Sequence, residues 1–70
     1  MKLLFTCRRS HLHDGKFYTI NVELYSTVVV LSVFRCGFEL PDSIVKSRRR
    51  SKNPSLAISK AISDYFSNVS

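Results

Sequence analysis

The stretch from Asn53 to Val69 constrains the fold most strongly, because it combines a helix start signal with a long apolar stripe. Asn53 is a preferred N-cap residue, and Pro54 is well tolerated at the first helical position, where its missing N–H would have no partner anyway. Apolar residues then recur at the spacing of one helix face: Ile58, Ala61, Ile62, Tyr65, Phe66 and Val69. We therefore predict a C-terminal amphipathic helix over about residues 54–68 that buries this stripe.

Three segments upstream of the helix have the pattern of β-strands. Residues 17–25 alternate apolar and polar side chains, which predicts a strand with one face in the core and one in water. Residues 28–36 are apolar on both sides and rich in valine, which indicates a central strand that is covered on both faces for part of its length. Residues 2–8 predict a first strand, and the turn signal Asp14-Gly15 folds it back on the second.

Together these elements predict one α+β domain over residues 1–70, a small antiparallel β-meander of about three strands packed by one C-terminal helix. The Ser26-Thr27 connection is short enough for a hairpin but lacks the Gly or Asn of a tight primed turn, so the strand register stays open. Residues 38–47 carry mixed signals, and we expect an irregular or edge-strand path there. A chain of 70 residues lies near the lower limit for independent folding, so a homodimer is an open alternative.

The cysteines and apolar runs bear on cellular location. Cys7 and Cys36 make at most one disulfide, whereas short secreted chains usually carry more cysteines. The apolar start at residues 3–5 is shorter than the roughly 7–15 apolar residues of a signal peptide. The apolar run 28–34 is shorter than the ~20 residues of a membrane span. We therefore expect a cytoplasmic protein without a membrane span.

The net charge of +6, from eleven Lys and Arg against five Asp and Glu, favours a polyanionic partner. The polar stretch 46–52, directly before the helix, predicts a basic loop that holds five of the cationic side chains: Lys46, Arg48, Arg49, Arg50 and Lys52. A helix N-terminus attracts anions, so a phosphate between it and this run would stabilise both. Lys60 extends the patch along the polar side of the helix. These residues predict a small nucleic-acid-binding accessory protein, for DNA or RNA, with little sequence readout; a merely solvated basic loop is the simpler alternative.

The predicted strands are followed by a basic loop and by a helix that contains Ala57, Ala61 and Tyr65-Phe66. This layout resembles the C-terminal half of a double-stranded-RNA-binding domain, over about residues 16–68. In that family, lysines at the start of the last helix grip phosphates across a groove. The resemblance implies that role for Arg48, Arg49, Arg50 and Lys52. The chain departs from the family at residues 1–9, which predict a strand in place of its first helix, and at the short Ser26-Thr27 turn, which replaces its groove-reading loop.

Catalytic and metal chemistry have weaker support in the sequence. His11, His13 and Cys7 are zinc-ligand types, but their spacing matches no standard site. With only Gly15 and Gly37, the chain has no Gly-rich phosphate loop. We therefore predict no enzyme activity, no catalytic residues, no metal and no cofactor.

Two further readings stay open. Phe17 and Tyr25 lie at opposite ends of the polar face of their strand, with Arg35 beside that face, and such residues either stack bases or close the rim of the core. The alternative function is a small interaction module or inhibitor of the viral or phage type. It would bind an acidic host protein, or pair through an exposed strand edge.

Overall fold

The structure, a computed structural model, describes residues 2–68. They form a four-stranded antiparallel sheet in the order β1-β2-β3-β4, followed by one helix. The elements are β1 (Leu3–His13), β2 (Lys16–Tyr25), β3 (Val28–Arg35), β4 (Ser43–Arg48) and α1 (Pro54–Ser67). The predicted α+β class and C-terminal helix are confirmed, while the sheet has four strands where about three were expected. Val69, the last member of the predicted apolar stripe, lies outside the described residues.

The β1–β2 hairpin is longer than the sequence indicates. Asp14 and Gly15 both have positive φ, 52° and 75°, as a two-residue type I′ turn requires, and His13 pairs directly with Lys16. Because the twist of such a turn matches that of the flanking strands, pairing continues right up to it. The first strand therefore runs to His13 and does not end near residue 8.

Strand β3 lies between β2 and β4, as expected for a central strand. Leu24 pairs with Val29 across the two-residue Ser26-Thr27 connection, which fixes the register that the sequence left open. After β3 the chain turns through Gly37, whose φ is 87°, and returns as β4. The edge-strand alternative for residues 38–47 is thus correct for residues 43–47, and β4 begins only after Pro41, which has no N–H for a ladder.

The core lies between one face of the sheet, here called the covered face, and the helix. It consists of alternate residues of two strands and the apolar side of α1: Ile20, Val22, Leu24, Val29, Leu31, Val33, Ala57, Ile58, Ala61, Ile62 and Phe66. Tyr65 of the predicted stripe is only partly buried. The period-2 and helical patterns predicted nearly all of these positions, because burial of one face is what produces both patterns.

On the opposite side of the sheet, here called the open face, no helix lies over the strands within residues 2–68. Val28, Val30 and Phe34 of β3 point there and are half buried, whereas Val29, Leu31 and Val33 on the covered face are 0–1% exposed. The expectation that β3 is covered on both faces is therefore wrong, since neighbouring side chains alone shield its second face. No helix among the described residues is long and apolar enough to cross a membrane.

Both cysteines are free thiols. Cys7 lies half buried on β1 opposite Val22, while Cys36 lies just beyond the end of β3 and is exposed. The predicted strand over residues 28–36 therefore ends one residue early, at Arg35.

Candidate nucleic-acid interface

The structure divides the five basic residues before the helix among different surroundings. Lys46 and Arg48 belong to β4, where they pair with Val30 and Val28 and share the open face with them. Both are exposed. The predicted basic loop thus begins only after Arg48, because the alternation of β4 continues through these residues.

Arg49 is held inside the fold. Its guanidinium donates hydrogen bonds to three backbone carbonyls, those of Ser51 (2.8 Å), Lys52 (2.8 Å) and Tyr25 (3.2 Å). Its own backbone N–H also bonds the Thr27 carbonyl at 2.7 Å. These bonds tie the loop after β4 to the β2–β3 turn, so the side chain has few donors left for a ligand.

The other predicted cations lie on or near the helix. Arg50 forms an ion pair with Asp64 of α1, and both side chains remain about half exposed. Lys52 and Lys60 are exposed. An exposed pair of this kind is weak, but the Asp64 carboxylate still lowers the positive potential around Arg50.

The start of the helix is already well capped. The Asn53 side chain accepts the N–H of Leu56 at 3.2 Å, and Pro54 has no N–H to offer. The Ala57 N–H bonds the Asn53 carbonyl at 2.9 Å. Within the described residues this leaves the amide of Ser55 as the first-turn donor without a bond, so the helix N-terminus has little left with which to bind a phosphate.

The open face combines cationic and neutral polar side chains. One cross-strand row consists of Arg8, Asn21, Ser32 and Ile44. The next row contains Glu23, Val30 and Lys46, and Arg48 lies beyond it. The Nε of Arg8 donates to Oδ1 of Asn21 at 3.0 Å, which fixes the arginine against the sheet. The face therefore presents positive charge at both edge strands.

Glu23 is the acidic residue within these rows, and its carboxylate accepts a hydrogen bond from the Tyr25 hydroxyl at 3.3 Å. Partial burial, and secondly the charge and hydrogen bond of Glu23, raise the pKa of Tyr25 above its ordinary value of 10.0. Tyr25 is therefore neutral at physiological pH. It supplies a neutral partner to Glu23 and adds no negative charge to the face.

A cleft of about 210 Å³ opens at one end of the open face. It is lined by polar, cationic and aromatic side chains and by one acidic residue, Glu39, of the loop after β3: Arg8, Thr19, Asn21, Phe34, Arg35, Gly37, Phe38 and Glu39. The Arg35 guanidinium carbon lies 5.5 Å from the centre of the Phe38 ring, a cation–π arrangement. Phe38 is 61% exposed, so its ring is accessible to a ligand.

The two histidines lie on the covered face, beside the helix. His11 stacks on Phe66 with ring centres 4.3 Å apart, and His13 lies 4.9 Å from the same ring. Together with Arg9 and the helix serines they line a groove of about 490 Å³. The described residues contain no group of three or more His, Cys, Asp or Glu that could hold a metal ion.

The sequence predictions named some residues of the open face and its cleft, Lys46, Arg48 and Arg35, but gave no role to Arg8, Asn21, Phe34 or Phe38. Arg8 reaches the interface only through its register with Asn21, which depends on the length of the β1–β2 hairpin. The position of Phe34 on the open face could have been predicted, because strand alternation places it on the side opposite Val33.

Comparison with known proteins adds no functional information. No family model, curated protein or solved structure matches this chain, so neither the resemblance to double-stranded-RNA-binding domains nor any other family receives support from them.

Proposed function

We propose that this chain is a small nucleic-acid-binding protein whose binding surface is the open face of the sheet. The observation that carries the proposal is that Arg8 on one edge strand and Lys46 and Arg48 on the other share a sheet face that α1 does not cover. Arg35 adds a fourth cation at the cleft. Phosphate contacts made by such side chains supply affinity without reading sequence.

Charge distribution favours this surface over the loop before the helix. Arg49 is bonded to backbone carbonyls, and Arg50, although exposed, is paired with Asp64. Lys52 and Lys60 are the exposed cations of that region that form no ion pair among the described residues. On the open face, Lys46 and Arg48 have no acidic partner within 4.0 Å among the described residues. We therefore retain Lys46 and Arg48 as phosphate-contacting residues and add Arg8 and Arg35 to them.

The proposal is tested by titrating labelled oligonucleotides at several salt concentrations. If the four cations each neutralise one phosphate, log K falls with log salt at a slope of about −3 on a single strand and about −4 on duplex DNA. Replacing Lys46 and Arg48 together by Gln should reduce the magnitude of that slope by about 1.5. No binding to DNA or RNA at low salt would disprove the proposal.

Lys60→Gln provides the matched control, because it removes an exposed positive charge from the helix, on the other side of the sheet. Its affinity should stay close to that of the parent protein. If Lys60→Gln and Lys52→Gln weaken binding while the Lys46/Arg48 double variant does not, the helix side, and not the open face, contacts the nucleic acid.

A second candidate function has one specific observation in its favour. Strand β1 is an edge strand of 11 residues, and its outer edge has no neighbour in the sheet. Such an edge can receive an extended segment of another protein, as expected for an interaction module or inhibitor. A pull-down from nuclease-treated lysate separates the two functions, since protein partners that persist favour the module and partners that disappear favour nucleic-acid binding.

A further inference from the structure

The cleft on the open face has features that go beyond phosphate binding. Resting on the proposed function, we infer that the protein prefers single-stranded nucleic acid and stacks an unpaired base on Phe38 in this cleft. The cleft is smaller than the ~300–1,000 Å³ of pockets for drug-sized ligands. Its volume suits a single ring system, such as one base.

The placement of Phe38 is the first observation behind the inference. Its N–H bonds the Arg35 carbonyl at 3.1 Å in the turn at Gly37, whose positive φ of 87° holds the loop over the end of the sheet. Phe38 is not a core residue, yet the turn positions it beside the polar surface of β2. An exposed aromatic ring in a fixed place next to cations is what a stacking platform consists of.

Arg35 strengthens the platform. Its guanidinium lies over the Phe38 ring, 5.5 Å from the ring centre, while 61% of Phe38 stays exposed and offers surface to a base. The same guanidinium can bond a phosphate of the bound strand. A base and a phosphate of neighbouring nucleotides would thus be held by two residues that already contact each other.

The floor of the cleft is polar. Thr19 and Asn21 on β2 offer a hydroxyl and an amide to the edge of a base. Arg8 bonds Asn21 through its Nε, so its terminal nitrogens stay available for a phosphate. Lys46 and Arg48 lie farther along the sheet, at two and three cross-strand rows from Phe34, or about 14–20 Å by strand rise. Several nucleotides of an extended strand are needed to reach from the cleft to these cations.

A duplex cannot use the cleft in this way, because its bases are stacked and paired inside the helix. It can contact only the cations through its phosphates, whereas an unpaired base has both faces available for stacking. The proposed function requires only electrostatic binding to phosphates. A preference for single strands over duplexes therefore distinguishes this inference from the proposed function.

The test compares a deoxythymidine oligomer of about ten nucleotides with a duplex of equal length, at one fixed salt concentration. We expect Phe38→Ala to bind the single strand about 5- to 100-fold more weakly, with an unchanged salt slope because no charge is lost. Phe38→Tyr should restore binding, since it keeps the ring. Duplex binding by Phe38→Ala should equal that of the parent protein.

Leu40→Ala is the matched control, because Leu40 is an apolar residue of the same loop and is 80% exposed. It should leave single-strand affinity unchanged. Equal affinity for duplex and single strand, or equal losses in Phe38→Ala and Leu40→Ala, would overturn the inference while leaving the proposed function intact. Absence of any binding at low salt would remove both.

Discussion

Arg48 and Arg49 are adjacent arginines with opposite surroundings. Strand alternation directs Arg48 to the open face, whereas Arg49, at the end of the strand, turns toward the covered side and bonds three backbone carbonyls. A bonded cation inside the fold contributes to stability, and an unpaired exposed one is available to a ligand. The two residues should therefore respond differently to the same substitution.

We predict that Arg49→Gln lowers the free energy of unfolding by about 1–3 kcal/mol, because a glutamine cannot reach the carbonyls of Tyr25, Ser51 and Lys52 together. Urea unfolding followed by circular dichroism measures the loss. Arg48→Gln, at an exposed position, should change stability by less than about 0.5 kcal/mol and should instead weaken nucleic-acid binding. Equal unfolding free energies for the two variants would contradict the assignment.

At the scale of elements, the helix owes its start to a side-chain cap and its position to packing. Asn53 caps Leu56, and its own N–H bonds the Ser51 hydroxyl at 3.2 Å, so the cap is itself anchored to the loop. The β1–β2 hairpin is a second element defined locally, by the positive φ values of Asp14 and Gly15. Both elements form where the sequence signals are strongest.

Asn53→Ala should destabilise the protein by about 0.5–2 kcal/mol, because the Leu56 N–H loses its acceptor. Thermal or urea unfolding followed by the helical circular dichroism signal provides the measurement. Asn53→Asp keeps an acceptor and should restore most of the stability. Ser55→Ala, at an exposed position of the same turn, serves as the control, and a loss there as large as in Asn53→Ala would show that the cap is not responsible.

The molecule as a whole has two layers and one core. The helix and the covered face share every residue of that core, so neither layer can bury its apolar surface without the other. In a chain of this size the core supplies only a few kcal/mol of net stability, and the two layers should unfold as one unit. The open face takes no part in this packing, so substitutions of its exposed side chains should leave the core intact.

Ala61→Asp tests the shared core, because Ala61 is 7% exposed and a carboxylate there would be buried without a partner. We expect a loss of roughly 3 kcal/mol or more, enough to unfold both layers together. Far-UV circular dichroism monitors the helix. Tyrosine fluorescence monitors the sheet if it is measured in a Tyr65→Phe background, where only Tyr18 and Tyr25 of β2 emit. The control variant Ser63→Asp places the same charge on the exposed side of α1 and should remain folded. Separate unfolding transitions for the helix and the sheet would disprove a single core.

The sequence alone determined the local elements of this protein: the capped helix, the apolar stripe, the alternating second strand and the Asp14-Gly15 turn. Each of these depends on residues close together in the chain, where φ, ψ and periodicity act directly. Tertiary structure decided which cations are available and which surface they share. Arg49 and Arg50 are engaged by groups from distant segments, while Arg8 and Phe34 come together only through the pairing of β1, β2 and β3. Such pairings depend on register over many residues, and composition and local pattern carry no information about them.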